Sequence, residues 1–174
     1  MGVRTVVRYP ARVLKGIAGP VGSIGPTERQ LAADLVATMY DSPGCVGLAA
    51  PQLGVASRAF AMDVSVMKKP PEGNHGLVVL FDPDLVVADG SEIRREGCMS
   101  VPDWTCDVRR ALHVVVRGVT PEGEVRVIEA SGFEARALQH ELDHLDGLLI
   151  LDRVASRADV FARKRYADKG KHLK

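Results

Sequence analysis

Leu31, Leu35 and Met39 recur four residues apart among polar neighbours, so 28–41 reads as a helix with one buried stripe. Thr27 and Gln30 have the spacing of a capping box at its start, and Asp41-Ser42-Pro43-Gly44 ends it. The period then changes, with short β-rich runs at 58–64, 77–81, 84–88, 113–119 and 124–130. Turns such as Pro70-Pro71-Glu72-Gly73 and Thr120-Pro121-Glu122-Gly123 separate them. Strands that follow one another without intervening helices predict antiparallel pairing. A second helix is expected over 132–145, with Ser131 and Glu134 spaced as a capping box and Gly147 as its stop. A short apolar strand at Leu148–Leu151 and a basic helical tail from about Ser156 follow it. The first 26 residues, broken by Pro10, Pro20 and Pro26, read as an extended lead-in. The expectation is an α+β fold: antiparallel β-sheets packed around a central helix, with an N-terminal and a C-terminal helix.

Composition narrows the class. At 174 residues and 46% apolar content, the chain has the size of a single domain with one sizeable core. Lys and Arg (23) nearly balance Asp and Glu (22), which argues against a sequence-specific nucleic-acid binder. The balance is uneven: residues 153–174 hold eight Lys or Arg against two Asp, leaving the first 152 residues net acidic. No stretch approaches the roughly 18 to 20 continuous apolar residues of a membrane span, and MGVRTVVRYP lacks the apolar core of a signal peptide. A soluble, cytoplasmic protein is the expectation. Three cysteines, Cys45, Cys98 and Cys106, do not make a disulfide framework in such a chain.

The most informative string is Gln139-His140-Glu141-Leu142-Asp143-His144, an H-E-x-x-H pattern inside the second helix. At about 100° per residue, the two histidines stand about 40° apart around the axis and one turn apart along it. Both imidazoles can reach one metal ion. Glu141 lies beside that stripe, placed to serve as a general base without being a ligand. Leu138, Leu142 and Leu145 fall on the opposite side, where a core can grip the helix. Two histidines do not complete a site, and Cys98, Cys106, Cys45, His113 and several carboxylates are candidates for a third ligand. Cys98 sits beside a glycine in Glu96-Gly97-Cys98-Met99-Ser100, which permits close backbone approach; in isolation it reads equally well as a small buried thiol. Phe133 and Ala137 share the helical face of His140 and His144, so they are candidates for an apolar pocket beside the metal.

A third string, Gly47-Leu48-Ala49-Ala50-Pro51-Gln52, decides between these options. In this order and at these separations, the three strings resemble the signature motifs of the peptide deformylases. Tyr9-Pro10, the pair Val108 and Arg110, and Asp146-Gly147 fit as well, so the resemblance spans nearly the whole chain. It implies a metal-dependent hydrolase that removes the N-formyl group from formyl-methionyl nascent peptides. Cys98, His140 and His144 would hold one divalent metal ion, typically iron(II), with nickel, cobalt or zinc as alternatives. Glu141 would move protons, and the Gln52 side chain and the Met99 backbone N–H would bind the formyl oxygen. The Gly44–Gly47 segment, including Val46 and Gly47, would pair with the substrate backbone as an added strand. The basic tail would dock the enzyme on the ribosome, as the charge segregation also allows.

Two positions depart from the pattern: Cys45 where many deformylases have glycine, and Arg109 where some have proline. Neither is an expected ligand. Rival readings are an H-E-x-x-H peptidase cutting internal bonds, which would usually recruit a downstream His or Glu, and a metal-stabilised binding module that has lost catalysis.

Overall fold

Residues 2–154 and 156–163 are described by the structure, a computed structural model. The first long element is helix α1, Pro26–Asp41, whose Leu31, Leu35 and Met39 are buried as the four-residue spacing requires. Its cap differs from expectation. The Gly25 N–H donates to Glu28 Oε2 at 2.9 Å, and Gln30 turns away to Asp34 at 2.8 Å. Pro26 begins the helix because a missing N–H costs nothing in the first turn.

Strands β1 (Gly47–Ala49), β2 (Ala59–Asp63), β3 (Leu77–Asp89), β4 (Glu92–Cys98), β5 (Val101–Arg110), β6 (His113–Val119), β7 (Val125–Ser131) and β8 (Val160–Ala162) form two antiparallel sheets. One has the order β1-β2-β3-β6-β7, the other β4-β5-β8. The two expected runs at 77–81 and 84–88 are one strand, β3, irregular between Phe81 and Asp84. Asp82 takes a positive φ of 45° there, and its carboxylate accepts the N–H groups of Val21 and Gly22 at 2.8 Å each. The Asp82-Pro83 pair that reads as a break is a bulge anchored to the lead-in.

Helix α2, Gly132–Leu145, lies against β1, β2, β6 and β7. Leu138, Leu142 and Leu145 pack with Phe60, Met62, Leu80, Val116 and Ile128 in the main core. A second core joins α1 to β1 and β2, and a third gathers Leu14, Cys98, Val101, Cys106, Val108, Leu149 and Ile150. Ser131 precedes α2 but makes no side-chain cap; its expected partner Glu134 instead accepts the His75 N–H at 2.9 Å and faces His75 Nδ1 at 3.0 Å.

The C-terminal part departs most from expectation. Leu148–Leu151 is not a strand: Ile150–Asp152 is a 3-10 turn, closed by Leu149 N–H donating to Asp152 Oδ2 at 2.7 Å. After it, Arg157–Asp159 is another 3-10 turn and Val160–Ala162 pairs with Trp104–Cys106 as an edge strand. The helical tail expected from Ser156 is therefore absent over 156–163, and the rest of it, 164–174, lies outside the described residues.

Candidate metal centre

Two elements meet at this centre. The inward face of α2 supplies His140, Glu141 and His144, and the end of β4 supplies Cys98. One ligand atom from each of Cys98, His140 and His144 lies within 4.8 Å of the others. The imidazole rings stand nearly edge to face, 5.0 Å between centroids, because residues one helical turn apart project side by side. Cys98 Sγ is 3.4 Å from His144 Nε2. Cys98 and His144 are buried and His140 is partly so.

The candidate ligand His140 is fixed from behind. His140 Nδ1 lies 2.9 Å from Glu96 Oε2, and a proton donated there leaves Nε2 with its lone pair for a metal. Glu96 receives Arg110 along both oxygens, Nε to Oε1 and Nη2 to Oε2 at 2.9 Å each, and Arg136 Nη1 to Oε1 at 2.7 Å. Burial opposes the charge on Glu96, but hydrogen bonds from Arg110 and then His140 outweigh it and hold the carboxyl well below the usual range. Arg110 also donates to Asp143, which Arg153 grips from outside.

Electrostatics favour a cation in this place. Burial works against a thiolate at Cys98, yet the charge of His144 and a hydrogen bond from His140 carry its pKa well below the ordinary thiol value. Among the described residues, the buried side-chain atoms without a hydrogen-bond partner are His144 Nδ1 and Glu141 Oε2. A thiolate between two imidazoles is a donor set for a late first-row divalent ion. The residues fit a metal.

Beside them, burial pushes the Glu141 carboxyl up to about 7. Gly47 makes room for it, since a Cβ at that position would overlap Glu141 Oε1. Gln52, buried at 2%, has its amide oriented: Oε1 accepts the Ala49 N–H at 2.9 Å, and Nε2 points to Ser100 Oγ at 3.2 Å and Cys98 Sγ at 3.7 Å. Ser100 in turn donates to the Val7 carbonyl at 2.7 Å. A thiolate, two imidazoles, a carboxylate and an amide donor thus converge from three separate stretches of chain.

The sequence model of the polypeptide deformylase family matches residues 3–160. The chain belongs to that family. Among curated deformylases, that of Thermodesulfovibrio yellowstonii is 38% identical over 97% of this chain and 99% of its own length. That of Desulfosudis oleivorans is 43% identical over 94% of this chain and 93% of its own. The crystal structure of a peptide deformylase from Legionella pneumophila superposes with a TM-score of 0.81 at 35% identity, over 91% of this chain and 89% of that one. A Met-Ala-Ser-bound structure of the class I type b deformylase from Acinetobacter baumannii has a TM-score of 0.80 at 34% identity, over 87% of this chain and 98% of that one.

The other expected deformylase residues fall as follows. Met99 lies in the two-residue turn between β4 and β5. Val46 packs against the core that includes Ala137, while Phe133 is 42% exposed in the first turn of α2 and is therefore not a core residue. The rival ligands stand elsewhere: Cys106 is buried in the third core, and His113 pairs with Glu129 at 3.0 Å. Cys45 donates its thiol proton to the Gly47 carbonyl at 3.0 Å, and burial pushes its pKa up to about 12. Sequence reasoning did not assign roles to Glu96, Ser100 and Arg136. The available signal was position: Glu96 and Ser100 each stand two residues from Cys98, and Arg136 precedes His140 by one helical turn.

Proposed function

We propose that this chain removes the N-formyl group from formyl-methionine at the start of nascent polypeptides, releasing formate. Cys98, His140 and His144 hold one divalent metal ion, iron(II) in the cell, with nickel, cobalt or zinc able to replace it. The observation that carries this reading is the convergence of that donor set with the buried carboxylate of Glu141 and the oriented amide of Gln52. The metal supplies Lewis acidity and lets water act as a nucleophile near neutral pH.

The protein's own groups do the rest. Glu141 takes the proton from the attacking water at its carboxylate and returns it to the departing amine. Gln52 Nε2 and the Met99 N–H donate to the formyl oxygen as negative charge develops, and losing one such donor typically costs about 3 to 4 kcal/mol. Strand β1 ends the order of the larger sheet, so its outer edge at Gly47, next to Val46, is open to an added peptide strand. Val46, Phe133 and Ala137 form the apolar wall for the methionine side chain, whose burial contributes roughly 1.5 to 3 kcal/mol. The Met-Ala-Ser ligand of the relative has the form of a deformylated product.

The whole chain forms one catalytic domain of the cytoplasm. No helix among the described residues is long and apolar enough to cross a membrane. The basic segment at 153–174 docks on the ribosome through phosphate contacts that weaken with salt. Formate release from formyl-Met-Ala by the metal-loaded protein is the test. Glu141→Ala is expected to keep its metal and lose about 100- to 10,000-fold in kcat. No formate from the wild type, or an active E141A, would overturn the reading. A chain ending at residue 163 should hydrolyse the free peptide normally and co-sediment less with ribosomes at low salt; unchanged co-sedimentation removes the docking role.

A further inference from the structure

We infer that Arg136 is a positioning residue for the metal ligand His140, acting through the carboxylate of Glu96. The inference rests on the assignment of His140 as a ligand.

Glu96 is 7% exposed, so its oxygens depend on protein donors. An ionised carboxylate offers about four acceptor positions. All four are used: Arg110 supplies two donors, Arg136 Nη1 a third, and His140 Nδ1 the fourth. Oε1 carries Arg110 and Arg136, while Oε2 carries Arg110 and His140. Removing Arg136 leaves Oε1 with one donor and lets the carboxylate turn about the Arg110 fork. The oxygen that faces His140 turns with it.

Arg136 is also tied to both strands of the hairpin that carries Cys98. Its Nη1 donates to the Val108 carbonyl on β5 and its Nη2 to the Glu92 carbonyl on β4, each at 3.0 Å. Arg136 and His140 stand one turn apart on α2, so two residues of a single helical face reach the same carboxylate. Arg136 thereby sets the separation between the histidine helix and the cysteine strand. At 6% exposure it offers little surface to a partner. Its donors are directed to β4 and β5, which is the arrangement of a spacer.

The test uses the full chain loaded with cobalt(II), read by its absorption spectrum and by the rate at which a chelator removes the ion. Arg136→Met is expected to fold, to weaken cobalt binding by up to about 10-fold, the lower end of what loss of a ligand's direct partner typically costs, and to shift the cobalt bands. Hydrolysis should fall in kcat with KM for formyl-Met-Ala unchanged. Leu31→Ala in the second core is the control: it lowers Tm and leaves cobalt affinity and spectrum unaltered. In a Glu96→Gln background, R136M should weaken cobalt binding much less than it does alone, the remainder reflecting its bonds to the Val108 and Glu92 carbonyls. Wild-type affinity and spectrum in R136M, or a full additional loss on top of E96Q, would overturn the inference. If R136M does not fold, Arg136→Gln carries the same expectation, because an amide can pair one carbonyl but gives Glu96 no cation. Failure of the wild type to bind cobalt would strike the ligand assignment itself, a separate outcome.

Discussion

Behind its histidines, α2 is held by Leu138, Leu142 and Leu145, each at most 6% exposed and packed on apolar residues of the larger sheet. The hairpin of β4 and β5 is joined differently. Arg95 lies opposite Asp107 in register and bonds it at 2.7 Å, and the buried edge of β4 meets β5 and α2 through Glu96, Arg110 and Arg136. The hairpin also buries Cys98, Val101, Cys106 and Val108 in the third core, but its link to α2 behind the candidate metal centre runs through paired charge. Apolar burial fixes where an element sits but is non-directional, whereas a fork of N–H donors fixes angles as well. The proposed ligand that needs a set orientation, His140, belongs to the apolar element but takes its orientation from the ionic one.

Substitutions that remove one support at a time break this contrast apart. The largest effect is expected from Glu96→Ala, which leaves the guanidiniums of Arg110 and Arg136 buried without their shared anion; breaking such a network costs about 3 to 5 kcal/mol. Metal affinity should fall with stability. Leu138→Ala, by contrast, should lose about 2 to 5 kcal/mol through cavity formation while the folded protein keeps its metal. Urea melts with metal titrations check both, and an E96A protein that binds metal normally would remove the division. Arg95→Ala sharpens the contrast at its lower limit. Its partners are the part-exposed Asp107 carboxylate and the Phe161 ring, 3.4 Å from its guanidinium carbon; its own side chain is 46% exposed, and the two contacts together contribute about 1 to 2 kcal/mol. A larger loss would show that the outer charges of the hairpin matter as much as the buried ones.

The same contrast explains what could be read from the sequence. Helix α2, α1 and most strands of the larger sheet follow apolar periodicity, and the histidine pair follows from helical spacing alone. Strand β4 is not among the expected β-runs: with Glu92, Arg94, Arg95 and Glu96 around a lone Ile93 it carries little apolar signal, and charge pairing across strands is invisible in one dimension. Cys98 was identified through the resemblance of its motif, and Glu96 and Arg136 could not be connected to His140 without the third dimension. Both expected capping boxes fail, for different reasons: at α1 the pair forms two residues earlier, with Glu28 accepting the Gly25 N–H in place of Thr27 with Gln30, and at α2 a tertiary contact with His75 draws Glu134 away from Ser131. The strand at Leu148–Leu151 failed because its four apolar residues suit a buried turn as well as a strand, and Asp152 closes the turn.

The central claim is that an apolar helix and a charged hairpin assemble one metal centre, the hairpin contributing a thiolate. Cobalt(II) absorption of the wild type and of Cys98→Ala, Cys106→Ala and Cys45→Ala tests it directly, since sulfur bound to cobalt gives an intense charge-transfer band that imidazole and carboxylate do not. The band is expected in the wild type, C106A and C45A, and absent from C98A. A band that survives in C98A, or that disappears with Cys45 or Cys106 instead, would contradict the account.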